Sequence, residues 1–462
     1  MRNTFVFLTA CLALALPAAA QNTDIESLSG LQFNFGNPGA RSLGMGGAFL
    51  GLADDASAAE ANPAGLTILR KPEISLEGRN YLEEQLFTTS GTFPDLKRTA
   101  FTHYSRRAEL TFGSFVYPVK NFTFGVYYHQ PLKNEGAGRV VPERNQFTGA
   151  VTTDVPNFFL PKNGPAPVSS AECDQIRLRQ NDPFACLEYT ILPFISALAI
   201  QERTFGIAGA YKIGNFSLGA TARYQRFNET AFTFRVTPTF DFDSISVQAT
   251  SDIRNDNDRA KDKHDVTFAG GVKWAPGDKF SIGAVYKQGA KFTAPTFAAN
   301  RNTGFEFMRV SNTTFHVPDV YGAGVSVRPI PVLTINADAV HVTYSNLVDN
   351  FVSINEDIRS IDKAYKASDV TEIHVGAEYF FAMKVPFALR AGWWRDPAHS
   401  IEYRGPLALP DAVAAAILYP KGAAQKHVSV GGGFAWPRFQ IDAAYDTSKY
   451  YKVGSLSAVV RF

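Results

Sequence analysis

Apolar and polar residues alternate with a period of two along much of the chain. Runs of this kind begin at Phe122, Phe216, Val266, Phe280, Tyr321, Phe387, Val428, Phe439 and Gly454. One face of each run is apolar, and the other carries Gly, Ser, Thr or charge. This period predicts β-strands with one apolar face. An outer-membrane barrel turns that face toward lipid, whereas a soluble sandwich turns it inward.

The connections between the runs alternate in length, which favours the barrel. Tight turns lie at 119–121, 213–215, 275–278, 328–331, 383–386 and Pro437. Longer polar joins lie at 133–203, 238–263, 294–313, 348–369 and 397–425. Fourteen strands are predicted, starting near 72, 98, 121, 203, 216, 264, 278, 314, 331, 370, 386, 425, 438 and 453. Short turns at one end and long loops at the other are typical of an all-β outer-membrane barrel, and the even number returns both ends to the periplasm.

The N-terminus has the features of a secretory signal peptide. Arg2 supplies a positive charge, residues 5–16 are apolar, and Pro17 is followed by three alanines that form an A-x-A cleavage pattern. Residues 1–20 are therefore predicted to be removed. An alternative cut precedes Cys11, which resembles a lipoprotein cleavage site but has few apolar residues before it. No later stretch approaches 18 apolar residues, so no transmembrane helix is predicted.

Composition excludes several functional classes. The 45 Lys and Arg residues nearly balance the 43 Asp and Glu residues, so no basic surface is predicted to bind nucleic acid. The glycine-rich run 44–49 lacks the third glycine of a dinucleotide loop, and the eight histidines have no short metal-binding spacing. No Ser-containing nucleophile elbow occurs. We therefore predict no cofactor, no metal site and no enzymatic activity.

Two loop features invite specific predictions. Once the signal peptide is removed, Cys173 and Cys186 are the remaining cysteines, and in an exported protein a disulfide is favoured over a metal site that would need more ligands. The run 252–265 contains five aspartates that could bind Ca²⁺ through oxygen ligands. It lacks the glycine of an EF-hand loop, so a solvated outer loop is favoured.

A barrel of fourteen strands should enclose a lumen that its own side chains do not fill. Residues 21–71 show no strand alternation and are rich in small residues with Gly and Pro punctuation. They suit a compact plug inside the lumen. Residues 72–462 are then predicted to form the barrel, with the largest extracellular loop at about 134–202.

The predicted plug resembles the N-terminal hatch of the FadL/TodX family of outer-membrane hydrophobic-compound transporters. The resemblance rests on the segments 38–49, 53–57 and 62–66, with further similarity at 318–345, 389–392 and Phe462. It implies a fourteen-stranded barrel that imports long-chain fatty acids or aromatic hydrocarbons, which are captured in the lumen and released sideways through the wall. Asn62, Pro63 and Ala64 correspond to the family's hatch motif, either as a rigid turn or as a moving gate.

Basic residues on the predicted lumenal face are candidates for a ligand head group. Alternation places four cations inward, namely Arg223, Lys273, Lys287 and Arg390. Arg226 joins them only if a bulge reverses the phase. The position of Arg226 resembles a basic position near the family's head-group site. A lumenal cation could bind a fatty-acid carboxylate. The alternative is that each cation pairs with an acid of the barrel or the hatch, such as Asp338 or Asp442.

The predicted partners are hydrophobic small molecules and outer-membrane lipids, with the protein acting as a monomer. The sequence leaves a second function open. PorV-like shuttle proteins of type IX secretion resemble the same hatch and barrel, but they serve as protein-binding platforms.

Overall fold

The computed structural model describes residues 34–140, 143–144, 151–152, 156–190, 194–241, 244–255, 263–299, 308–348 and 364–462. The predicted signal peptide and residues 256–262 of the acidic run lie outside the described residues. Within the described parts of the chain, no helix is long and apolar enough to cross a membrane.

Fourteen antiparallel strands form a closed ring. They are β1 (Glu73–Thr92), β2 (Asp95–Val119), β3 (Phe122–Val140), β4 (Phe194–Ile213), β5 (Phe216–Asp241), β6 (Lys263–Gly277), β7 (Phe280–Lys287), β8 (Val320–Ile330), β9 (Leu333–Val342), β10 (Val370–Phe381), β11 (Phe387–Asp396), β12 (Gln425–Ala435), β13 (Phe439–Thr447) and β14 (Tyr451–Arg461). Each strand pairs with the next, and β1 pairs with β14 to close the ring. The predicted barrel and its strand number are confirmed.

The faces of the strands have the predicted phase. On β5 the apolar Phe216, Leu218 and Tyr224 point outward and are exposed, whereas Thr221 and Arg223 point inward and are buried. Exposed aromatic residues mark the tight-turn end of the ring, at Tyr117, Phe122, Phe216, Trp274, Phe381, Phe434 and Trp436. Aromatic girdles of this kind flank the lipid-facing band of outer-membrane barrels.

Residues 34–71, called the inner segment below, lie inside the ring of strands. The segment contains helix α1 (Ala40–Gly44), helix α2 (Ala58–Ala61) and a 3₁₀ helix (Pro63–Ile68). Helix α1 contacts β12 and β13, whereas the 3₁₀ helix contacts β4, β5 and β6 on another side. The segment therefore packs against widely separated parts of the wall.

Glycines of the wall allow the backbone of the inner segment to lie directly on the strands. A Cβ atom on Gly219 would overlap the backbone of Pro63 and Ala64. The other wall glycines whose Cβ would overlap the inner segment include Gly271, Gly283, Gly376 and Gly392. Glycine within a strand marks such sites of close backbone approach, because it has no side chain to interpose.

Three of the joins predicted as loops contain further strand structure. The β3–β4 hairpin extends to Val140 and resumes at Phe194, and a strand at Ser244–Asn255 pairs with β5. Strands Lys291–Ala299 and Met308–His316 pair with each other, so the barrel strand expected near 314 begins at Val320. Prediction from alternation was wrong here because these hairpins extend past the lipid band, where no apolar face is required.

The outer end also carries two helices and a disulfide. Strands Asn157–Pro161 and Cys186–Thr190 pair with each other and flank helix α3 (Ser170–Gln180). Cys173 and Cys186 are joined by a disulfide with 5.5 Å between the Cα atoms. Helix α4 (Pro410–Leu418) packs on this unit through a small apolar cluster of Phe158, Leu160, Val413 and Ile417.

The remaining short elements are a 3₁₀ helix at Tyr344–Val348 and the strands Glu143–Arg144, Val151–Thr152, Tyr365–Lys366 and Glu402–Tyr403.

Gly219→Ala is expected to loosen the inner segment, because a Cβ atom must displace the backbone of Pro63 and Ala64. Overpacking of this kind costs about 1 to 3 kcal/mol. Limited trypsin digestion of the folded barrel should cleave after Arg41 faster than in the wild type. Gly209→Ala is the matched control, because a Cβ there meets no atom within 4 Å. Equal cleavage rates in the wild type and both variants would contradict the close packing of the inner segment on Gly219.

Cys173 and Cys186 should resist alkylation in protein isolated from the envelope unless a reductant is added. The Cys173→Ser and Cys186→Ser double variant should release helix α3 from strand Cys186–Thr190, because a disulfide restricts the unfolded loop. Faster trypsin cleavage after Arg177 or Arg179 would report this release. Labelling of both thiols in untreated protein would refute the pairing.

Candidate functional site

A cavity lies on the outer side of the inner segment. Its floor is formed by residues 34–37, Leu43, Gly46 and Gly47. Its walls come from the middle of the long strands β1, β2 and β3 and from the outer parts of β10, β11, β13 and β14. The wall residues are Arg79, Tyr81, Thr111, His129, Gln130, Pro131, Leu132, Lys133, Glu372, His374, Trp394, Asp446, Tyr451 and Val453.

One wall of the cavity is a fixed stack of rings. Trp394 lies between His374 and His427, with ring centroids 5.2 and 3.8 Å away. Asp446 accepts hydrogen bonds from Trp394 Nε1 at 3.1 Å and from His427 Nδ1 at 2.6 Å. His374 Nδ1 donates to the carbonyl of Gly46 in the inner segment at 2.6 Å. The two imidazoles cover the faces of the Trp394 ring, so the stack makes this wall of the cavity rigid.

The opposite wall contains a break in the barrel. Strands β2 and β3 pair from their tight turn as far as Phe112 and His129. Beyond this point β3 continues alongside β4. The register of β3 on β4 shifts between His129 and Leu132. Pro131 lies inside this shift, and proline cannot donate a ladder hydrogen bond. Within the described strands, the β2–β3 ladder therefore ends beside the cavity.

Side chains bridge the wall where the ladder ends. Glu109 of β2 accepts hydrogen bonds from Gln130 Nε2 at 3.1 Å and from Lys133 Nζ. Gln130 and Lys133 both belong to β3 and line the cavity. Lys133 keeps 17% of its side chain exposed. The connection between β2 and β3 at this height consists of side chains, which can move independently of the backbone ladder.

The predicted hatch motif lies below the cavity and does not line it. Asn62 Nδ2 donates to the carbonyl oxygens of Leu50 at 3.2 Å and Val272 at 3.3 Å. Asn62 Oδ1 accepts from the Ala64 nitrogen at 3.2 Å and caps the 3₁₀ helix that begins at Pro63. All three motif residues are buried. These contacts favour the rigid-turn interpretation of the motif.

Arg223 points inward, as predicted, and faces an acid of the inner segment. Its Nη2 atom lies 3.6 Å from Glu60 Oε1, and Lys287 Nζ lies 3.2 Å from the same oxygen. Tyr127 donates its hydroxyl to Glu60 Oε2 at 2.5 Å. Burial alone would raise the pKa of Glu60, but attraction to Lys287 and Arg223 holds this pKa well below its usual value.

Arg390 and Lys273 are also engaged. Arg390 contacts Glu378 at 2.6 Å and Asp442 at 2.8 Å, and Glu378 in turn contacts Arg41 of the inner segment at 2.8 Å. Lys273 Nζ donates to the backbone carbonyl of Leu52. None of the predicted inward cations lines the cavity described above. Their role at a ligand head group stays a prediction, and the observed contacts match the alternative of pairing within the protein.

Arg226 lies on the outward face of β5. The registers of β5 with β4 and β6 run without a shift through this position, so no bulge reverses the phase. Arg226 is ten residues above Phe216, which is about 25 Å at ~3.3 Å per residue and a strand tilt of about 40°. That distance spans the apolar band, which places Arg226 near the outer headgroups.

The acidic run offers few described ligands. Asp265 Oδ2 accepts a hydrogen bond from the Lys291 nitrogen at 2.9 Å, and Oδ1 accepts from the Val266 nitrogen at 2.8 Å. Among the residues that the structure describes, no group of three His, Cys, Asp or Glu side chains could hold a metal ion.

The site residues predicted from the sequence did not include Glu109, Pro131 or Lys133. Residues 133 onward were assigned to a loop, and Glu109 lies in the least regular part of the second predicted strand. Pro131 was an available signal, because proline inside a strand pattern marks an edge or an interruption of pairing.

Glu60→Gln is expected to weaken docking of the inner segment, because it leaves Lys287 and Arg223 buried without their anion. Removing one partner of a buried ion pair costs about 3 to 5 kcal/mol. Ion conductance in planar bilayers should rise toward that of a variant lacking residues 21–71. Glu172→Gln, an exposed acid on α3, is the control.

The ion pairs of Glu60 also predict how conductance depends on pH. Because the pKa of Glu60 is depressed in the folded protein, its stabilisation is present above the unfolded value of about 4.3 and is lost as pH falls through the lower folded value. Wild-type conductance should therefore stay low from about pH 7 to 5. Unchanged conductance of Glu60→Gln in this range would contradict the role of Glu60.

Comparisons with known proteins agree with this architecture. Residues 196–455 match the family model described as outer membrane protein transport protein (OMPP1/FadL/TodX). A Pseudomonas aeruginosa FadL homologue has 15% identity and a TM-score of 0.56, covering 94% of this chain and 100% of that one. The CymD monoaromatic hydrocarbon channel has 14% identity and a TM-score of 0.54, covering 93% and 99% of the two chains.

The Ralstonia pickettii toluene transporter TbuX has 16% identity and a TM-score of 0.51, again covering 93% of this chain and 99% of that one. At these identities the solved structures support the fold alone. No curated protein matches the sequence. The family match covers more than half of the chain. The chain therefore belongs to the OMPP1/FadL/TodX family of bacterial outer-membrane proteins that transport hydrophobic compounds.

Proposed function

We propose that this protein takes up long-chain fatty acids or other hydrophobic compounds, holds them in the cavity above the inner segment, and releases them sideways between β2 and β3. One observation carries the proposal: the β2–β3 ladder ends at Phe112 and His129, beside the cavity. Among the described side chains, those of Glu109, Gln130 and Lys133 bridge the wall between such a ligand and the lipid.

The energetics of an apolar ligand favour a sideways exit. Keeping an alkyl chain in apolar surroundings is worth about 0.8 kcal/mol per CH₂ group. An aqueous route through the lumen would forfeit this free energy at every carbon. The inner segment also occupies that route, because Met45, Phe49 and Leu66 are fully buried within it.

The cavity offers two kinds of ligand contact. Lys133 is partly exposed and bound by Glu109, so a fatty-acid carboxylate can replace that partner. Rings of Tyr81, Trp394 and Tyr451 also line the cavity and offer apolar surface to an aromatic hydrocarbon. The similar CymD and TbuX structures are described as a monoaromatic hydrocarbon channel and a toluene transporter. With the inner segment docked as described, Lys133 is the cation proposed to bind the carboxylate of a fatty acid. Arg223, Lys273 and Arg390 would take part only if the inner segment moved.

Lipid extraction and mass spectrometry of the purified protein test the occupant of the cavity. A bound fatty acid or hydrocarbon is the expected result. Retention of a protein partner with no bound hydrophobic compound would favour the secretion platform, for which the described contacts offer no specific support.

Pro131→Val tests the exit. It supplies a backbone donor where the ladder ends, so the wall should close and uptake of a labelled fatty acid by cells should fall by about tenfold. The amount of co-purified ligand should not fall. Pro118→Val is the matched control, because Pro118 lies within the intact β2–β3 ladder opposite Thr123. Unchanged uptake by a folded Pro131→Val barrel would exclude this exit.

A further inference from the structure

The turns at the periplasmic end of the barrel share a pattern that transport does not explain. In four of them, an exposed cation lies in sequence between two aromatic residues. These triplets are Tyr117, Lys120 and Phe122; Trp274, Lys279 and Phe280; Phe381, Lys384 and Phe387; and Trp436, Arg438 and Phe439. The turns belong to four different hairpins, namely β2–β3, β6–β7, β10–β11 and β12–β13.

The aromatic residues place these cations at the level of lipid headgroups. Tyr117 and Phe122 are each 50% exposed on the outer face of the wall. Trp274, Phe381 and Trp436 are also exposed there, at 37 to 39%. Aromatic side chains of barrels gather at the boundary between acyl chains and headgroups. A cation two to five residues further along the same turn lies beside the headgroups of the inner leaflet.

The ring of cations has little opposing charge. Asp278 is the one exposed acid in these four turns. Arg70 and Lys71, exposed at the end of the inner segment, add to the positive charge of the same rim. Glu73 is buried and paired with Arg461 at 2.9 Å. No carboxylate among the described residues forms an ion pair with the four turn cations.

We propose that this rim binds anionic phospholipid headgroups of the inner leaflet. Lys and Arg side chains offer charge and donors to a phosphate, and the flanking rings cover the region where the acyl chains begin. A soluble anion would use the cations but not the exposed rings, whereas a phospholipid uses both. Repetition in four hairpins would distribute the bound lipids around the barrel and set its depth in the membrane.

Native mass spectrometry of the mature protein in neutral detergent tests the proposal. The protein is titrated with phosphatidylglycerol and, separately, with phosphatidylcholine of the same acyl chains. Wild-type protein should bind phosphatidylglycerol about tenfold more tightly, because each surface Lys or Arg adds to the attraction of anionic lipid. The preference should decrease as salt is added.

A matched pair of variants assigns the effect to the rim. The rim variant carries Lys120→Gln, Lys279→Gln, Lys384→Gln and Arg438→Gln. The control variant removes three exposed lysines and one exposed arginine at the outer end, by Lys162→Gln, Lys421→Gln, Lys449→Gln and Arg179→Gln. The two variants therefore have the same net charge, and heat-modifiable gel migration reports whether each barrel is folded.

The expected result is loss of the preference to within about twofold in the rim variant and its retention in the control variant. Retention in a folded rim variant overturns the proposal. Equal loss in both variants indicates a nonspecific effect of net charge and also overturns it. Wild-type protein with no preference, or a rim that retains a periplasmic protein and no anionic lipid, excludes a lipid as the occupant.

Discussion

The backbone of the inner segment can lie against the barrel wall only where the wall has no Cβ atoms. Gly219, Gly283 and Gly392 supply such positions on separate strands. The close approach lets wall side chains reach the backbone: Asp338 accepts from the nitrogens of Phe49 and Leu50 at 2.6 and 2.8 Å. A ring of fourteen strands encloses more space than its own side chains fill. These contacts hold the inner segment in that space.

Docking of the inner segment also determines the electrostatics of the lumen. Buried charges are tolerated when they are paired and hydrogen-bonded. Glu60 forms ion pairs with Lys287 and Arg223. Glu378 forms ion pairs with both Arg41 of the inner segment and Arg390 of the wall. Most of the lumenal cations described above are therefore engaged in ion pairs, and Lys273 donates to the backbone carbonyl of Leu52. In the proposed function, the ligand binds on the outer side, where Trp394 and Lys133 line the cavity.

Lipid explains why so much of the fold could be predicted from the sequence. A strand that faces lipid must alternate, so the strand number, the tight turns and the inward phase of Arg223 followed from the pattern. The hairpin of Lys291–Ala299 and Met308–His316 lies beyond the lipid and has no such requirement. The cavity depends on residues distant in sequence, such as Lys133 and Trp394, which no local pattern brings together. The sequence left open whether Arg226 points into the lumen or toward the lipid. The registers of β5 with β4 and β6 have no shift at this position, so Arg226 points outward.

The position of the inner segment in the chain has a consequence for assembly. The segment ends a few residues before Glu73, where β1 starts, and β1 forms the last seam of the ring with β14. The inner segment is thus tethered to the strand that completes the ring. Until it docks, Arg223 of β5 and Lys287 of β7 lack Glu60, the acid that the inner segment brings to them. We therefore expect closure of the seam to be coupled to docking of the inner segment, because a ring sealed around an empty lumen would leave those charges hydrated and the membrane permeable.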